Sequence, residues 1–127
     1  MRAYTVTATA VTLDVPRKWV DNTLSHHIVP GVLQSKQGVT RKVTPQAMLI
    51  LEICLKLMRS LGVPVHLALE AAKRLTASSE STPQLPIAAH LMLTVDIPAI
   101  MRDVNARLAD AVEVAPSPKR GRPPRPL

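Results

Sequence analysis

The sequence predicts a mostly α-helical fold with a small β element in its front half. Three observations lead there. Apolar residues recur at helical spacing in separate stretches of the 127-residue chain. Those stretches tend to open on a threonine or a proline, the residues that start helices. Between the second and third of them, residues 28–43 lose the helical spacing and hold Pro30-Gly31 and Gln37-Gly38, which mark turns.

Taken in order, Thr5 can cap a short helix over Val6–Leu13, with Val6, Ala10 and Leu13 on its apolar side. Asp14 and Val15 make a tight turn, and Pro16 suits the first position of a second helix, 16–26. Val20 and Leu24 form its buried side, with Trp19 alongside as a core anchor. Residues 28–43 read as a small β-hairpin or extended wing. Thr44-Pro45 opens a third helix with the stripe Ala47, Ile50, Leu51, Cys54, Leu55, Met58 and Leu61, closed by Gly62. Pro64 opens a fourth, 64–76, with Leu67, Ala68, Ala71, Ala72 and Leu75 as its stripe. Residues 77–84 are a polar break. Residues 85–95 are apolar and partly β-branched and read as one strand, the alternative being a helix. Residues 97–112 return to helical spacing through Ile97, Ile100, Met101, Val104, Leu108, Ala111 and Val112. Beyond Glu113 the Pro-rich end is expected to be disordered without a partner.

Composition narrows the function classes. Hydrophobic residues are 46% of the chain, enough for a core, but aromatics are 2% with no Phe. Aliphatic side chains must build that core, and stacking on single-stranded bases is disfavoured. The single Cys54 excludes an internal disulfide and suits a reducing cytoplasm. Met1-Arg2-Ala3-Tyr4-Thr5 carries no apolar signal region. Residues 48–61 are interrupted by Glu52, Lys56 and Arg59, so no membrane span is expected. The net charge of +7 sits at the ends: +4 over residues 1–43, −1 over 44–113 and +4 over 114–127. That suits two polyanion-binding segments joined by a packing and assembly segment.

Two short helices around a tight turn, then a glycine-containing hairpin and a Thr-Pro-capped helix, follow the order of a winged helix-turn-helix. The stretch from Thr5-Val6 through Ala8, Ala10 and Leu13-Asp14-Val15-Pro16-Arg17 to Val20 resembles the start of MerR-like and excisionase-like winged DNA-binding domains. Ile28-Val29-Pro30-Gly31 and Gln37-Gly38-Val39-Thr40-Arg41-Lys42-Val43-Thr44 are similar to their wing and the start of their third helix. The resemblance covers about residues 4–75. Asp14 stands where those domains carry a turn glycine, and Pro16 where they carry a capping serine. Asp21 and Asn22 occupy the exposed face where they carry an arginine. Only residues 85–112 stand where full MerR regulators carry an effector-binding half.

The resemblance implies that 16–26 is a recognition helix. Arg17 and Lys18 open it, where side chains and backbone N–H groups meet phosphate. Asn22, with Asp21 beside it, can pair with adenine in the major groove. Lys36, Arg41 and Lys42 lie at the wing, where such domains clamp phosphate or the minor groove. The plain alternatives are solvated charge and a surface amide. His26-His27 are adjacent, so their rings diverge, and no third ligand lies at i+4; no metal is expected. No nucleophile–base pair, phosphate loop or carboxylate pair is recognisable, so neither an enzyme nor a cofactor is expected.

The final residues, Lys119-Arg120-Gly121-Arg122-Pro123-Pro124-Arg125-Pro126-Leu127, contain Arg120-Gly121-Arg122-Pro123, which resembles the core of the AT-hook. Pro123 holds the chain extended, and Gly121 lets the backbone lie on a narrow groove floor. The arginines, with Lys119 and Arg125 flanking, can then enter the minor groove of A·T-rich DNA. The alternative is a basic tail that aids solubility.

The expected organisation is a winged helix-turn-helix DNA-binding domain over 1–76, a short strand–helix dimerisation unit over 85–113, and a disordered AT-hook-like tail over 114–127. A lone strand needs a hydrogen-bonding partner, and the same strand of a second chain would supply one, giving a homodimer; a strand of the wing is the alternative. The function expected is a cytoplasmic, nucleoid-associated, dimeric transcription regulator bound to double-stranded DNA. The rivals are an architectural nucleoid protein and an antitoxin-type interaction protein.

Overall fold

The computed structural model describes residues 2–34 and 41–114. Strand β1 (Tyr4–Thr5) leads into helices α1 (Val6–Leu13) and α2 (Arg17–His26), then strands β2 (Val32–Leu33) and β3 (Lys42–Val43). Helices α3 (Pro45–Leu61) and α4 (Val65–Ala77), strands β4 (Gln84–Ala88) and β5 (Leu91–Thr94) and helix α5 (Ile97–Val114) follow. The protein is mostly helical, with two small antiparallel sheets among the described residues. Among those residues no helix is long and apolar enough to cross a membrane.

Local chemistry sets the helix ends. Thr5 Oγ1 accepts the Ala8 N–H at 3.0 Å and caps α1. Asp14 closes α1 in the left-handed region (φ 56°), and the Val15 N–H reaches back to the Ala10 carbonyl at 3.0 Å. A short polar side chain tolerates that conformation, so the turn forms without glycine. Pro16 is the cap residue of α2 rather than its first helical residue, so the helix begins one position later than expected. Thr44 and Pro45 open α3, and Gly62 ends it at φ 67°.

Residues 28–43 do contain an antiparallel pair, β2 with β3. The sequence had not suggested β1, which pairs with the other edge of β3 to give the order β1-β3-β2. Gly31 joins this sheet to α3. Its carbonyl accepts the Thr44 N–H at 3.0 Å, and a Cβ there would lie 2.3 Å from Thr44 Oγ1.

Helix α3 is the centre of the molecule. Residues Ala47 through Leu55 are all buried, not only the expected stripe. Packing of α1, α4 and α5 around it accounts for this. Its end emerges from the core, so Leu61 is 58% exposed although it continues the stripe, and Leu67 on α4 is 53% exposed.

Two expectations for the C-terminal half are corrected. Residues 85–95 are a hairpin, not one strand: Gln84 pairs with Thr94 and Leu85 with Leu93, around a turn at Ala89-His90. His90 takes the left-handed conformation (φ 62°). No glycine, proline or asparagine marks this turn, so the sequence does not announce it. The strand thus finds its partner in its own chain, and the need for a second chain to complete it disappears. Helix α5 lies chiefly on α1 and also on α3, with Val104 and Leu108 inside the common apolar core. Helix α5 therefore shares one apolar core with α1 and α3.

Candidate nucleic-acid interface

Helix α2 packs on α1 through Val20, Thr23 and Leu24, and Trp19 lies half-buried against the core. That fixes the opposite face outward. Arg17, Lys18, Asn22, Ser25 and His26 are exposed on it, and Asp21 is half-exposed. Arg17 Nε lies 3.6 Å from Asp21 Oδ2, one turn along the helix. The pair is solvent-exposed and weak, on the order of 0.5 kcal/mol, but it directs Arg17 along the helix rather than outward. The Ser25 hydroxyl donates to the Asp21 carbonyl at 2.7 Å, and His26 Nδ1 donates to the Asn22 carbonyl at the same distance. Nε2 of His26 is thus the ring nitrogen left for an outside partner. A shallow depression of about 310 Å³, lined by Trp19, Asn22, His26, His27 and Val65, separates α2 from the start of α4.

Two arginines from distant elements hold the turn that aims α2. Arg59 of α3 donates to the Asp14 carbonyl at 3.1 Å. Arg107 of α5 donates to the Thr12 carbonyl at 3.1 Å and pairs with Glu52, whose carboxylate is buried in α3. Both cations sit at the C-terminal end of α1, where unsatisfied carbonyls concentrate negative potential. Their partners lie 45 to 95 residues away in sequence, which is why no local pattern revealed them.

Lys42, on β3, is exposed, and Arg41, just before the strand, is half-buried. No hydrogen bond or ion pair joins them to the α2 face among the described residues. Lys36 and the tail residues Lys119, Arg120, Gly121, Arg122, Pro123 and Arg125 lie outside the described residues. Ser25, which the sequence had not suggested, and His26, at the helix end, belong to the outward face. The i+7 and i+8 spacing from Lys18 was the available signal.

Cys54 is buried on α3, with its thiol 3.7 Å from Met58 Sδ, and burial pushes its pKa up to about 11. It is a packing residue held as the neutral thiol. Among the described residues no group of His, Cys, Asp and Glu side chains is placed to hold a metal ion. What the α2 face offers chemically is two cations, an amide, a hydroxyl and an imidazole, a set that can hydrogen-bond phosphates and base edges. No protein-family model matches this chain, and no curated protein does.

Proposed function

We propose that this chain binds double-stranded DNA as a transcription regulator of the winged helix-turn-helix kind, with α2 in the major groove. One observation carries this. α2 is joined to α1 through the left-handed Asp14 and presents Arg17, Lys18, Asn22, Ser25 and His26 to solvent on one face. The antiparallel β2–β3 pair with exposed Lys42 is compatible with a wing that follows the backbone. The net charge of +7 favours a polyanionic partner. Arg120-Gly121-Arg122-Pro123 would add a tethered minor-groove contact, and tethering lets two weak sites bind tightly together.

The test is fluorescence anisotropy on genomic DNA fragments over a salt series. Arg17→Ala with Lys18→Ala should weaken binding and make the salt slope shallower by about 1.8, two phosphate contacts at 0.9 each. Asp21→Asn should act oppositely, because it frees Arg17 and removes a negative charge from the face. Unchanged affinity in both folded variants would defeat the docking. Deleting residues 116–127 should weaken A·T-rich probes more than G·C-rich ones. Equal affinity for random and genomic DNA would favour the architectural alternative over a regulator.

A further inference from the structure

The β4–β5 hairpin is built unlike a solvated ribbon. From Gln84 to Val95 it carries no Asp, Glu, Lys or Arg. At its base, the cross-strand pair Leu85–Leu93 packs on the core. Toward the turn, Ile87, Leu91 and Met92 are half-exposed. Edge strands in soluble proteins are ordinarily guarded by charge, and an isolated two-stranded sheet is weakly stable in water.

Beside the hairpin's base lies a groove of about 360 Å³ between the end of α3 and α5. Its apolar wall includes Leu57, Leu61, Leu93 and Ile100, and its rim carries Lys56 and Asp103. Neither the Lys56 ammonium nor the Asp103 carboxylate has an ion-pair partner among the described residues. One face therefore holds an apolar projection, an apolar hollow, a spare cation and a spare carboxylate side by side.

A surface with both halves of each match is complementary to itself. Under a twofold axis the same patch meets itself, projection to hollow and cation to carboxylate. The patch is charge-balanced within a chain of net +7, so two copies can approach there without the repulsion that the rest of the surface imposes. DNA would gain nothing from its apolar side chains.

We propose that this face is the interface between two copies of this chain, with Leu91 and Met92 of each hairpin seated in the partner's groove. Lys56 of one copy then meets Asp103 of the other. This is a different geometry from a shared strand, and it is independent of DNA binding.

Sedimentation velocity on the full chain tests it. The wild type should be a dimer at micromolar concentration. Met92→Glu on the hairpin and Leu61→Glu in the groove should each raise the dimer Kd by about 100-fold or more, because each forces a carboxylate into the apolar contact. Both residues are half-exposed in the single chain, so circular dichroism should show unchanged helix content. Lys56→Glu should also weaken the dimer, and adding Asp103→Lys should restore it. A wild type that stays monomeric at about 100 μM overturns the proposal. So does a dimer that survives both glutamate substitutions, or a Lys56→Glu defect that Asp103→Lys fails to repair.

Discussion

Arg107→Ala should be among the most damaging single substitutions in this chain, although the residue lies on a surface helix. The Arg107 side chain is 39% exposed, whereas that of its partner Glu52 is 3% exposed. Removing the arginine leaves a buried carboxylate without its ion-pair partner, and strips a donor from the Thr12 carbonyl. Breaking a buried pair from one side costs 3–5 kcal/mol; the partial exposure of Arg107 sets the lower end, about 3 kcal/mol. Glu52→Gln is milder at about 1 kcal/mol, since the amide oxygen still accepts from Arg107. Arg107→Ala made in the Glu52→Gln background should therefore cost about 1.5 kcal/mol less than in the wild type. Urea unfolding followed by Trp19 fluorescence and circular dichroism measures all four corners of the cycle. On the proposed docking of α2, DNA affinity should fall with Arg107→Ala even where the protein stays folded, because the end of α1 loses its anchor. Costs below about 0.5 kcal/mol for Arg107→Ala, or strict additivity, would refute the idea that this pair ties α1 and α5 to α3.

Two further outcomes follow from the packing. Gly31→Ala should destabilise by about 3 kcal/mol: the added Cβ meets Thr44 Oγ1 at φ +92°, so left-handed strain adds to a displaced cap. Gly62→Ala, with open space around the new Cβ, should cost only about 1 kcal/mol by the same urea unfolding, and equal costs would show that the contact with Thr44 is not what matters. For Cys54, burial raises the pKa from an ordinary 9.0 to about 11, so the folded state keeps a proton that the unfolded chain releases. Stability should fall as pH rises through that window, by on the order of 2 kcal/mol, and Cys54→Ala should flatten the fall; a variant whose urea midpoint drops as steeply as the wild type's excludes the thiol as the cause.

The sequence alone determined what depends on neighbours within one helical turn. Thr5, Thr44-Pro45 and Gly62 act on groups three to five residues away, so the starts of α1 and α3 and the end of α3 could be read directly. The left-handed turn at Asp14 and the outward set Arg17, Lys18 and Asn22 follow from the same short-range periodicity. So does the Arg17–Asp21 pair, which sits at i,i+4 spacing on one helix. Tertiary structure decided the rest. Only when α5 lies on α1 and α3 does Glu52 become a buried ion-pair member instead of a polar interruption, while Leu61, equally apolar in pattern, is left outside. Strand β1 exists because β3 offers it an edge 37 to 39 residues away, and two residues carry no periodicity of their own. The turn at His90 is held by the Leu85–Leu93 pairing rather than by turn chemistry, so a hairpin read as a strand. In each case the deciding energy comes from groups beyond one helical turn along the chain, and periodicity records only which side of an element is apolar, not what will cover it.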